Sequence, residues 1–130
     1  MARIILCFGN PYMKDDNIAL RVATELKLKN TEFKTITDPA QIMEYAGNDE
    51  MIIMDAVKGI KKVTVITDID QLKEGKKATM HDMDLGFYLK LLKEMKIVKK
   101  VRIIGIPMNA DIEKAEKEVS KLLKTENLIN

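Results

Sequence analysis

The sequence predicts an α/β fold: a three-layer α/β/α sandwich around a mostly parallel, twisted sheet of about five strands. Two observations carry that prediction. Short, continuously apolar runs such as "RIILCF", "MIIM" and "VRIIGI" read as strands buried on both faces, because they do not alternate with polar residues. Between them lie segments whose apolar residues recur at helical spacing. At 130 residues, with no internal repeat, low-complexity stretch or linker, residues 1–130 read as one domain.

Each element follows in chain order. The first strand is Arg3 to Phe8, and after it Ala19, Val22, Ala23 and Leu26 mark one face of a helix. Asp15 or Asp16 is expected to cap that helix, since a carboxylate suits free N–H groups at a positive dipole end. "FKTI" is a short strand, and Pro39 opens a short helix through Met43 and Tyr45. "MIIM" is a second buried strand, expected to end in Asp55. "KVTVIT", rich in β-branched residues, is a third. A polar, Gly-containing stretch then leads to His81, Asp82 and a helix marked by Leu85, Tyr88, Leu89 and Leu92. That helix is expected to form the crossover between "KVTVIT" and "VRIIGI". Pro107 ends the last strand, and Ile112, Ala115, Val119, Leu122 and Leu123 stripe a closing helix.

Composition narrows the function. With 46% hydrophobic and 32% charged residues and a net charge of +2, this is a globular chain without a basic face for nucleic acid. Three Tyr, three Phe and no Trp leave little for a base-stacking platform. Cys7 is the single cysteine, which rules out an internal disulfide or a thiolate metal cluster; inside an apolar run it reads as a small buried hydrophobe. No signal peptide is recognisable, and no apolar run reaches the ~18 residues of a membrane span. A cytoplasmic protein without membrane insertion is expected.

Chemistry concentrates at one sheet edge. In open parallel sheets ligands bind beyond the carboxyl ends of the strands. Asp15 and Asp16 follow the first strand, Asp55 ends the second apolar one, and His81, the only histidine, precedes a helix. Two carboxylates and an imidazole form a three-donor set suited to Zn, Ni, Mn or Fe. Asp55 also places a charge in a core strand, where it needs a partner. Nucleotide cradles are disfavoured, since neither G-x-G-x-x-G nor a P-loop follows a strand. H-E-x-x-H and G-x-S-x-G are missing, and the one serine, Ser120, lies within the closing helix.

Three stretches, "ILCFGNPYMKDDNIALRVATEL", "MIIMDAV" and "HDMDLGFYLKLL", resemble the hydrogenase maturation endopeptidases, which process the large subunit of nickel–iron hydrogenases. The shared landmarks are a Gly-Asn turn separated by four residues from an acidic pair, a strand ending in Asp, a His before a helix, and a late strand ending near Gly-Ile. The resemblance implies a peptidase that removes the C-terminal extension of the large-subunit precursor once nickel has been inserted. It also implies that Asp16, Asp55 and His81 contact nickel carried by the precursor, with no metal held tightly at rest. Gly9, Asn10, Asp15 and Asn17 would then support those ligands or touch substrate. A monomer is expected, although no residue pattern decides the oligomeric state.

The chain departs from the family at two places. Asn17 stands where Gly usually follows the acidic pair; a left-handed turn there would be tolerated by Asn better than by most residues. After the last strand the chain reads "GIPMNADIEKAEKE", shorter than the family's Gly-Ile-Gln-Pro loop. Two other readings stand beside the protease: a silent family member acting as a binding factor, and a receiver-like signalling domain phosphorylated on Asp55.

Overall fold

A computed structural model describes residues 3–9, 17–45, 50–67, 78–79, 82–98 and 100–125. The elements are β1 (Arg3–Phe8), α1 (Ile18–Glu25), β2 (Thr31–Ile36), a 3-10 helix (Pro39–Tyr45), β3 (Glu50–Lys58), β4 (Thr64–Ile66), β5 (Ala78–Thr79), α2 (Asp82–Glu94), β6 (Lys100–Pro107) and α3 (Ile112–Thr125). They form one sheet in the order β2-β1-β3-β6-β4, with β5 paired to β3 outside that path. The pairs β1–β2, β1–β3 and β3–β6 are parallel. The α/β architecture is as the sequence predicted.

The central strands β1, β3 and β6 are buried on both faces, and their two-residue alternation sorts the core into two layers. Ile5, Cys7, Ile52, Met54, Ala56, Ile104 and Ile106 pack with residues of α1 and α3. Leu6, Phe8, Ile53, Val57, Val101 and Ile103 pack with Ile42 of the 3-10 helix and with Leu89 and Leu92 of α2. In the closing helix Ala115, Val119 and Leu123 are buried, while Ile112 and Leu122 are half-buried against the same layer. No helix of the described residues is long and apolar enough to cross a membrane.

Three expectations need correction. Asp55 does not end its strand. β3 runs on through Ala56 and Val57 to Lys58, because β6 pairs with it as far as Val57 and β5 joins at Val57 and Lys58. Gly59, at φ 83°, then turns the chain, a conformation glycine adopts without a Cβ penalty. "KVTVIT" yields only three paired residues, Thr64–Ile66, and they run antiparallel to β6. The helix α2 therefore links β5 to β6 and does not serve as a parallel crossover from β4. Finally, the N-cap of α1 is Asn17, whose backbone carbonyl accepts from Arg21 N–H at 3.0 Å. Asp15 and Asp16 lie outside the described residues.

Cys7 is fully buried, and burial, reinforced by the charge of Asp55, pushes its thiol well above the usual range. The folded protein should therefore leave Cys7 unmodified by a thiol reagent such as DTNB at pH 8. One equivalent should react after denaturation. Rapid labelling of the native state would contradict the packing described.

Candidate functional site

The order β2-β1-β3 places a topological switch between β1 and β3: the chain leaves β1 toward β2, then returns to the other side of β1 to build β3 and β6. Crevices at such a switch, beyond the carboxyl ends of the strands, are where open α/β sheets bind ligands. The starts of α1, α2 and α3 lie at that same edge, because each helix leads back from it, opposite to the parallel strands.

Asp55 sits at this switch. β1 pairs with β3 only as far as Cys7↔Met54, and β5 begins at Val57↔Thr79. Since β6 occupies the other side of β3 through Val57, β5 continues on the side that β1 has left. Asp55 and Ala56 thus occupy the interval between two strands. Alternation puts Asp55 on the face of Ile53 and Val57, toward α2. Its carboxylate is fully buried, the one charged side chain so placed among the described residues, and its Oδ1 accepts from Ala56 N–H at 2.8 Å. A carboxylate taken this far from water is costly unless hydrogen-bonded or serving a cation.

Across from Asp55, β6 contributes Gly105. A Cβ at that position would lie 2.8 Å from Val57 Cγ2 and 3.3 Å from Val57 Cβ. The Gly of the "GIP" strand end is therefore a packing requirement beside Asp55. Sequence reading found the glycine as a landmark, but its cause is visible only in the register.

The other expected site residues are described in part. Gly9 is buried directly after β1. Asn17 opens α1 with φ −122° and ψ 5°, so no left-handed turn is required there and the replacement of Gly carries no backbone strain. Its side chain makes no cap bond, and its Oδ1 is buried without a hydrogen-bond partner among the described residues. Asn10, Asp15, Asp16 and His81 lie outside the described residues. Among the described residues no group of three His, Cys, Asp or Glu side chains could hold a metal. The expected ligand set thus has one member, Asp55, whose position is given.

The family model "HycI: Hydrogenase maturation protease" matches residues 21–126. The chain belongs to the hydrogenase maturation protease family. Its fold is that of the solved maturation protease HybD from Thermococcus kodakarensis, at TM-score 0.72 and 26% identity over 100% of both chains. The HybD endopeptidase of E. coli gives a TM-score of 0.68 at 20% identity, covering 95% of this chain and 93% of that one. A hydrogenase 3 maturation protease gives 0.70 at 24% identity, covering 95% and 89%. A search of curated proteins by sequence gave no match.

Family membership supports a protease, a hydrolase of hydrogenase maturation, over the receiver-like reading of Asp55. The matched span includes Asp55 and His81 and begins after the Gly9-to-Asn17 stretch.

Proposed function

We propose that this maturation protease removes the C-terminal extension of a nickel–iron hydrogenase large-subunit precursor. The nickel already inserted in the precursor would be its recognition element, contacted by Asp16, Asp55 and His81. The observation that carries the reading is the buried carboxylate of Asp55 at the β1/β3 switch. Asp16 immediately precedes Asn17 at the start of α1. His81 follows Thr79, the partner of Val57, by two residues, at most about 7 Å of chain. What supports the reading is that Asn17 and Thr79, the described residues next to those two segments, lie at the sheet edge where Asp55 is buried.

The donor chemistry suits the cargo. Carboxylate and neutral imidazole are competent ligands for nickel, and three protein donors leave positions for ligands from the precursor. Bound there, nickel would supply Lewis acidity and would orient the bond to be cut. The protein's own part is to hold the donors. Asp55 is paired with Gly105 of β6 on a strand held by β1 before it and β5 after it, with Oδ1 fixed by the Ala56 amide, so little reorganisation accompanies binding. The buried Oδ1 of Asn17 offers an acceptor to a substrate N–H at the same edge.

Cadmium titration tests the ligand set without requiring turnover. Wild type should bind the ion, and His81→Ala should bind it at least about tenfold more weakly. Identical affinities for the two proteins would contradict the assignment of His81.

A further inference from the structure

The sheet ends at β2 on one side and at β4 on the other. Sheets commonly blunt such edges with very short strands, bulges, proline or charges that repel a second chain. β4 follows that rule, with three paired residues. β2 does not: it pairs with β1 in unbroken register from Thr31 to Ile36, with no bulge and no proline. Among the described residues no strand lies on its outer side.

The bonds that tie β2 to β1 show which of its backbone groups face outward. Asn30 O accepts from Arg3 N–H at 2.7 Å, and Ile36 O accepts from Gly9 N–H at 3.4 Å. The N–H and C=O of one strand residue point to the same side, and the side alternates along the chain. The even-numbered residues of β2 therefore face β1, and Thr31, Phe33 and Thr35 present their backbone groups to the free edge. The edge stops at Thr37, whose N–H donates to Gln41 Oε1 at 2.9 Å.

The side chains of this edge select one partner register. Lys34 and Glu32 pair at 2.8 Å within the strand, yet their side chains remain 41% and 49% exposed. An antiparallel copy of β2 has to set outward-facing residues opposite outward-facing residues to form its hydrogen bonds. Centred on Phe33, it pairs Phe33 with Phe33, Thr31 with Thr35 and Glu32 with Lys34. Slid by two residues, it sets Glu32 against Glu32 in one direction and Lys34 against Lys34 in the other. Like charges directly opposite are destabilising, and opposite charges stabilise. The stretch "TEFKT" is thus its own complement in a single register.

We infer that β2 is a dimerisation edge, paired antiparallel about Phe33 with the β2 of a second copy of this chain. The arrangement is two-fold symmetric and closes at two copies. Each glutamate then has a lysine in its own strand and another across the contact, a ring of alternating charge. Because the two β2 strands oppose each other, the carboxyl edges of the two sheets point in opposite directions, and each copy keeps its own crevice at Asp55. The monomer expected from sequence overlooks this edge, since only the strand order shows that β2 is terminal.

One strand pair is a small interface, so the dimer should form at high protein concentration. Sedimentation equilibrium of the full chain, from about 5 µM to about 500 µM, reads it directly. The wild type should pass from 14.8 kDa toward twice that mass and no further. Glu32→Lys gathers only lysines at the contact and Lys34→Glu only glutamates, so each alone should associate at least about tenfold more weakly. Mixed in equal amounts, the two variants should regain wild-type association, because a lysine-bearing strand then meets a glutamate-bearing one. Both side chains reach solvent, and circular dichroism checks that the fold is kept. A wild type that stays at 14.8 kDa throughout, or growth beyond two copies, would overturn the inference. So would a dimer that is indifferent to the single substitutions, or one that mixing does not restore.

Discussion

Asp55→Asn should yield a folded protein that shortens the hydrogenase precursor at least about a hundredfold more slowly than wild type. The substitution keeps the shape of the side chain and an Oδ1 acceptor for the Ala56 amide, so the β3 backbone need not move. Melting should stay close to wild type, with stability changed by no more than about 1 kcal/mol. What is lost is the negative charge. A fully buried carboxylate is an expensive feature for a core strand, and its retention is explained if a cation arrives with the substrate. Near-normal processing by a well-folded Asp55→Asn protein would remove Asp55 from the site. Circular dichroism and thermal melting on the same preparation separate loss of function from loss of fold.

Gly105→Ala carries the largest expected effect on stability. The new Cβ would stand 2.8 Å from Val57 Cγ2, with Ile60 Cδ1 at 3.4 Å. Val57 is β-branched, buried and held by β6 on one side and β5 on the other, so it cannot rotate or retreat cheaply. Overpacking of this kind costs about 2 kcal/mol, which for a chain of this size lowers Tm by roughly 6–10 °C. Combining it with Val57→Ala should recover at least about 1 kcal/mol relative to the sum of the single changes. Strict additivity of the two would mean that the close approach of β6 to β3 beside Asp55 is not what the glycine serves.

The strands and helices were legible because their causes are local. "RIILCF", the core of β3 and "VRIIGI" are continuous apolar runs, and α1 and α3 carry unbroken helical stripes. What the sequence hid depends on partners far along the chain. Asp55 looked like a strand end because a charge normally marks one. Ala56 and Val57 remain in the strand because β6, about fifty residues later, pairs with them. The two residues of β5 are too few to show a period, yet they fill the side of β3 that β1 leaves. The direction of β4 is likewise set by its edge position against β6, which no pattern within "KVTVIT" encodes.

The site was legible as chemistry more than as geometry. Asp55 stood out because a charge in a core strand needs a partner, and its carboxylate is buried at the switch between β1 and β3. The left-handed turn expected at Asn17 is not formed: at φ −122° the position makes no such demand. The buried Oδ1 at that residue, without a hydrogen-bond partner among the described residues, could not have been read from sequence, because it depends on which neighbours approach.

The most direct measurement is the intact mass of a hydrogenase large-subunit precursor after incubation with this protein, with and without nickel loaded. The nickel-loaded precursor should lose one C-terminal peptide, the segment after its last Cys-x-x-Cys-x-x-His/Arg element, while the nickel-free precursor keeps its full mass. A loaded precursor of unchanged mass, with an active maturation protease cutting the same preparation, would contradict the account and favour a silent binding member. Equal shortening with and without nickel would contradict nickel as the recognition element.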